Sequence, residues 1–134
     1  MKQIIDFLTE AKVFYFATID GNTPKIRPFG FFMEHKGRLY FGMGTHKEVW
    51  KQVIANPQVE VCALKSAQDY EWIRIYGRAV PDQDPDTLTA AFEKAPFLKT
   101  IYNEQSGLTL GLIWIDQGKA EFMGKAGKTE TLSF

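Results

Sequence analysis

Two short segments carry residue types suited to holding an anion. The first is Arg27-Pro28-Phe29-Gly30. Arginine presents a forked, permanently charged donor that matches the oxygens of a phosphate. Proline withholds an amide, which a central strand tolerates poorly, so this stretch belongs on an edge strand or at a bulge. An unpaired edge leaves backbone groups free for a ligand's polar rim. The second segment is Phe41-Gly42-Met43-Gly44-Thr45-His46-Lys47. Here a strand gives way to a helix through glycines that let the backbone approach a ligand closely. The first amides of a helix carry partial positive charge and favour an anion. Thr45 adds a hydroxyl and Lys47 a cation. The spacing is not that of a Walker loop. Glu48 works mildly against an anion, since its carboxylate competes for the same amides. Taken singly, Arg27 also describes a surface arginine beside an edge proline, and Lys47 a solvated lysine on a capped helix.

A third segment, Glu71-Trp72-Ile73-Arg74-Ile75-Tyr76, alternates so that Trp72, Arg74 and Tyr76 share one face and Ile73 and Ile75 the other. Trp and Tyr on a barrel exterior suit a subunit interface, stacking on a flat ring, or a plain amphipathic wall. Trp114 in Leu112-Ile113-Trp114-Ile115 is similar. Other chemistries find no residues. His35 and His46 are the only histidines, and no cluster has metal-ligand spacing. Neither a nucleophile elbow nor a dinucleotide-binding glycine fingerprint is present.

The elements that must position these residues follow from periodicity. Residues 2–11 read as an amphipathic helix. Val13–Ile19, Lys25–Glu34 and Arg38–Met43 read as a three-stranded meander, broken by Asp20-Gly21-Asn22 and His35-Lys36-Gly37. If the second and third strands pair as a hairpin, Arg27 lies toward the end that holds residues 44–46, and one residue of slip would turn it away. Thr45 and Glu48 stand in the capping-box relation, and Val49, Trp50, Val53 and Ile54 fall at helical spacing until Asn56-Pro57. Val59–Lys65 and Glu71–Val80 are strands. Asp84-Pro85 opens a helix to about Ala95, and Pro96–Tyr102 forms a short helical turn. Leu108–Asp116 and Lys119–Met123 are strands joined by a tight turn at Asp116-Gln117-Gly118. Residues 124–134 read as a loop or frayed extension. The expectation is one domain, mainly β with helices: six or seven antiparallel strands in a barrel, about three helices at its ends.

Composition agrees. The chain has 134 residues, 45% of them hydrophobic and 24% charged, which suits one soluble domain. Lys plus Arg and Asp plus Glu both total 16, a balance that argues against general nucleic-acid binding but not against one cationic pocket. Cys62 is the only cysteine, so no internal disulfide forms. Without a signal-peptide pattern or an apolar run long enough for a membrane, the cytoplasm is the expected compartment.

The order and spacing of these motifs resemble the pyridoxamine 5'-phosphate oxidase-like flavoproteins, including their general-stress-protein and nitroimidazole-reductase-like branches. The residues concerned are Phe16–Gly30, Gly37–Gly42, Lys47, Asn56–Val61 and Trp72–Ala79, within a likeness running from about residue 2 to 123. The resemblance implies a split β-barrel, a homodimer, and flavin mononucleotide (FMN) at the subunit interface. It implies that Arg27, Thr45 and Lys47, with His46, hold the phosphate. Backbone at Pro28, Phe29 and Gly30 and at Phe41, Gly42 and Met43 would line the flavin ring, and Trp72 or Trp114 would reach across from the other subunit. The larger oxidases carry an Arg-Lys pair where this chain has Glu48-Val49, so phosphate binding would rest on residues nearer the helix start. The C-terminal segment with which those oxidases complete pyridoxal-type substrate binding has no clear counterpart here, which points away from pyridoxamine phosphate as substrate. The implied function is a flavin-dependent oxidoreductase acting on a small molecule. The alternative is a non-catalytic flavin or haem binding module of the stress response.

Overall fold

In the computed structural model, which describes residues 1–134, helix α1 (Lys2–Ala11) buries Ile4, Phe7 and Leu8 as one apolar stripe. Strand β1 (Phe14–Asp20) turns Phe14, Phe16 and Thr18 inward. Gly21, at φ 62°, turns the chain into β2 (Thr23–Phe29). The pairs Phe14–Phe29, Phe16–Arg27 and Thr18–Lys25 put Arg27 on the inward face. A short hairpin, β3 (Phe32–His35) and β4 (Arg38–Gly44), leads to α2 (Glu48–Ala55). Strands β5 (Gln58–Ser66) and β6 (Glu71–Pro81) follow, then α3 (Pro85–Lys94) and a 3-10 turn at Pro96–Thr100. Strands β7 (Leu110–Gly124) and β8 (Gly127–Ser133) end the chain.

The strands form one antiparallel sheet in the order β2-β1-β5-β6-β7-β4-β3, with β8 added on β7. Three strands separate β1 from β4 along this path. At about 4.8 Å per strand a flat sheet would hold them roughly 19 Å apart. Yet the rings of Phe14 and Phe41 lie 5.2 Å apart, and those of Phe16 and Phe41 5.6 Å. The sheet is therefore curled onto itself as a barrel around these phenylalanines. It is split, because β2 and β3 share no ladder and only Gly30-Phe31 crosses the gap. A second apolar cluster lies outside the barrel, where α3 and the 3-10 turn cover Met33, Tyr40, Leu110 and Leu112. The Tyr40 hydroxyl donates to Asp82 at 2.6 Å and ties this layer to the start of α3. No helix is long and apolar enough to cross a membrane.

Three elements differ from the sequence expectation. Lys25–Glu34 is two strands, broken at Gly30-Phe31, so Arg27 pairs with β1 and not with β4. Leu108–Met123 holds one long strand and not a hairpin. Asp116-Gln117-Gly118 is a bulge opposite Gly77, with Gln117 at φ 52°. The tail is strand β8, closed by two backbone hydrogen bonds of 2.9 Å between Gly118 and Phe134.

Candidate functional site

The split leaves two open strand edges. Strand β2 ends the sheet, as its prolines Pro24 and Pro28 require, and β3 leaves β4 after the pair Phe32–Phe41. Gly42, Met43 and Gly44 pair with β7 on one side and with nothing on the other. Between these edges lies a cavity of about 410 Å³ bounded by Pro28–Phe31, Gly42, Met43 and Lys47, with Leu98 and Tyr102 from the segment after α3. Gly42 keeps it open on the β4 side. A Cβ there would lie 3.0 Å from the Phe31 ring and 3.3 Å from two leucine side chains.

Helix α2 starts at the rim. Lys47 is its N-cap residue, in extended backbone, and no side chain caps the helix. The expected Thr45–Glu48 capping box does not form: Glu48 turns to Lys51 instead, at 3.3 Å. The Lys47 amide donates to Gly44 O and the Trp50 amide to Lys47 O, whereas the amides of Glu48 and Val49 have no acceptor. Unpartnered first-turn amides favour an anion. Thr45 is held by its own amide on Thr109 O at 3.0 Å, and its methyl, with the Trp50 ring, packs over Gly111. His46 folds over Gly44, beside the Tyr102 hydroxyl.

Arg27 reaches α2 by a route different from the expected hairpin. Its Nη1 donates to Phe16 O at 3.1 Å and to Thr18 Oγ1 at 2.9 Å, and its Nη2 donates to Gln52 Oε1 at 2.9 Å. Gln52 Oε1 also accepts from the Thr18 hydroxyl at 2.6 Å. All these partners are neutral. A guanidinium has five N–H donors, so two remain free. Burial lowers the Arg27 pKa below its usual value, the mark of a charge taken from water without a counter-charge. No carboxylate pairs with Arg27 or Lys47 anywhere in the chain. Lys47 stands five residues before Gln52, about 7.5 Å along the helix axis.

Of the residues expected from sequence, Pro28, Phe29, Gly30, Gly42, Met43 and Lys47 line the cavity. Thr45 and His46 stand just before α2, and Arg27 lies outside the cavity lining, on Gln52 in the body of the helix. Three others do not meet there. Phe41 is fully buried among the barrel phenylalanines, and its backbone is paired on both sides. Trp114 packs into the outer cluster, with the Arg38 guanidinium 4.0 Å above its ring. Trp72 lies on the barrel exterior beside Arg74, 5.1 Å away. Sequence reasoning missed Thr18, Gln52 and Tyr102. A signal for Gln52 existed: it completes the buried stripe Val49, Gln52, Val53, where a polar side chain needs a buried partner. A cavity of similar size, about 420 Å³, lies against α1, but Asp6, Glu10, Glu71 and Glu130 line it and would repel a phosphate.

A family model described as pyridoxamine 5'-phosphate oxidase matches residues 1–123. A NimC/NimA family protein from Clostridium acetobutylicum is 34% identical with a TM-score of 0.90, over 100% of this chain and 92% of its own. General stress protein 26 from Bacillus anthracis is 16% identical with a TM-score of 0.72, over 99% and 97% of the two chains. A pyridoxamine 5'-phosphate oxidase-related, FMN-binding protein from Nostoc punctiforme is 16% identical with a TM-score of 0.62, over 99% and 95%. These last two share the fold. No curated protein matches the chain.

Proposed function

The chain belongs to the pyridoxamine 5'-phosphate oxidase family, and on that premise we propose that it binds FMN in the cavity between β2 and β4 as a homodimeric oxidoreductase for a small molecule. The observation that carries this reading is a pair of cations without carboxylate partners on one helix: Lys47 at the N-terminus of α2, beside two amides without acceptors, and Arg27 on Gln52 in the body of the same helix. A dianionic phosphate supplies what all of them lack.

The residues present fit such a cofactor. The Glu48 and Val49 amides, the Thr45 hydroxyl and Lys47 would hold the phosphate, and Arg27 would add its two free donors. Thr18 and Gln52 hold the guanidinium in place, so its position is set before a ligand arrives. Backbone of Pro28–Gly30 and the open edge at Gly42–Gly44 offer donors and acceptors to the rim of a flat ring. Gly42 leaves room for that ring, and Phe29, Phe31 and Met43 exclude water from it. When bound, the flavin supplies the hydride or electron transfer that no protein side chain here can perform. The dimer is supported by the barrel exterior, where Tyr15, Ile26 and Leu64 are exposed on adjacent strands.

Titration with FMN and with riboflavin, which lacks the phosphate, tests the site. Arg27→Ala and Lys47→Ala are each expected to weaken FMN by about 1.5 kcal/mol or more, the range for hydrogen bonds to charged groups, and riboflavin far less. Equal losses would place the phosphate elsewhere, and a protein that takes up no FMN would reject the reading. Steady-state reduction of an acceptor by a reduced nicotinamide cofactor separates an oxidoreductase from a non-catalytic flavin carrier, which would show no turnover.

A further inference from the structure

A second cavity adjoins the first. It has a volume of about 340 Å³ and shares Gly30, Phe31 and Phe97 with its neighbour. Its apolar wall adds Phe32, and Phe97 stands 59% exposed although it is a large hydrophobic side chain. Two lysines, Lys12 and Lys94, line the same space, and no carboxylate does. Neither lysine makes an ion pair or a side-chain hydrogen bond, whereas Lys2, Lys36, Lys51, Lys65, Lys125 and Lys128 all have carboxylate partners.

Both lysines are positioned by helix ends. Lys12 ends α1 in left-handed backbone at φ 70°, with its amide on Leu8 O at 3.0 Å. Lys94 is the last residue of α3, whose end Ala95 closes on Ala91 O. Aromatic walls with two unopposed cations call for a flat apolar body carrying negative charge.

We propose that this second cavity binds a small aromatic carboxylate, its ring against Phe31, Phe32 and Phe97 and its carboxylate at Lys12 and Lys94. That the bound molecule would lie beside a flavin rests on the reading above. That the cavity takes such a molecule does not, because none of its charged residues belongs to the phosphate site.

Ligand-observed NMR of the full chain, with and without FMN, tests it with benzoate, its neutral counterpart benzamide, and acetate as a carboxylate without a ring. Benzoate is expected to bind at least about tenfold more tightly than either, as a charged hydrogen bond or a buried ring provides. Lys12→Gln/Lys94→Gln should abolish the preference over benzamide, and Lys119→Gln, on the far strand, should not. Far-UV circular dichroism checks that these surface variants fold. Equal binding of benzoate and benzamide, equal binding of acetate, or a preference that survives the double variant overturns the proposal. Charge-selective benzoate binding in a protein that takes no FMN would leave this cavity standing and reject the flavin site. FMN uptake without benzoate selectivity would do the reverse.

Discussion

Arg27 is a guanidinium held by neutral neighbours alone. A buried cation with a carboxylate partner is already satisfied, but Phe16 O, Thr18 and Gln52 orient the guanidinium and leave its charge uncompensated. Two substitutions of Gln52 separate orientation from charge. Gln52→Leu removes the acceptor of both Thr18 and Arg27, and should cost about 1–3 kcal/mol in urea unfolding, the penalty for stranded buried donors. Gln52→Glu keeps the acceptors and adds the missing counter-charge. It should unfold at no lower urea concentration than the native chain, yet bind FMN more weakly while riboflavin binding is little changed. A Gln52→Glu protein with native FMN affinity would show that the charge of Arg27 is not used. The arginine was legible in the sequence because its type and its proline neighbour announce it. The glutamine was passed over because Val49, Trp50, Val53 and Ile54 made an apolar stripe without it. Packing rotates that stripe: Ile54 is 53% exposed, and Gln52 takes the buried place.

Elements were legible where periodicity and punctuation agreed. Helices α1 and α3 and strands β1, β5 and β6 fall within a residue or two of the expected bounds. The exceptions have physical causes. Asp116-Gln117-Gly118 has turn residues, but β6 runs past on one side and its Gly77 accommodates the extra residue as a bulge. A Cβ on Gly77 would lie 2.6 Å from Ile115 Cγ2, 2.8 Å from Asp116 O and 3.1 Å from the Gly118 Cα. Two of these are backbone atoms that cannot rotate away. Gly77→Ala should therefore destabilise the protein by about 1–3 kcal/mol, the usual cost of overpacking, in urea unfolding. An unchanged midpoint would mean that the bulge yields. Strand β8 carries Lys128, Thr129, Glu130 and Thr131, mostly exposed, with no apolar alternation to reveal it. It exists because β7 offers an edge and because Phe134 lies on Gly118.

At the scale of the molecule, an open sheet face remains. The outer sides of β2, β1, β5 and β6 carry Ile26, Tyr15, Leu64 and Trp72, and no helix covers them. A monomer rarely leaves such a face in water. Sedimentation equilibrium should give twice the 15.3 kDa chain mass, and Ile26→Asp with Leu64→Asp should give the mass of one chain. A native protein that sediments as a monomer at micromolar concentration would remove the dimer from the reading. Alternation along single strands determined in advance which residues face in or out, as at Trp72, Ile73, Arg74 and Ile75. Glycine, proline and charge likewise singled out Arg27 and the Gly42–Lys47 segment as candidates for an anion site, because these properties belong to local residue types. Only the curled sheet decided that Arg27 meets α2 through Gln52 and not through a hairpin with β4. That curl is a property of seven strands paired in one order, and no local window of sequence contains it.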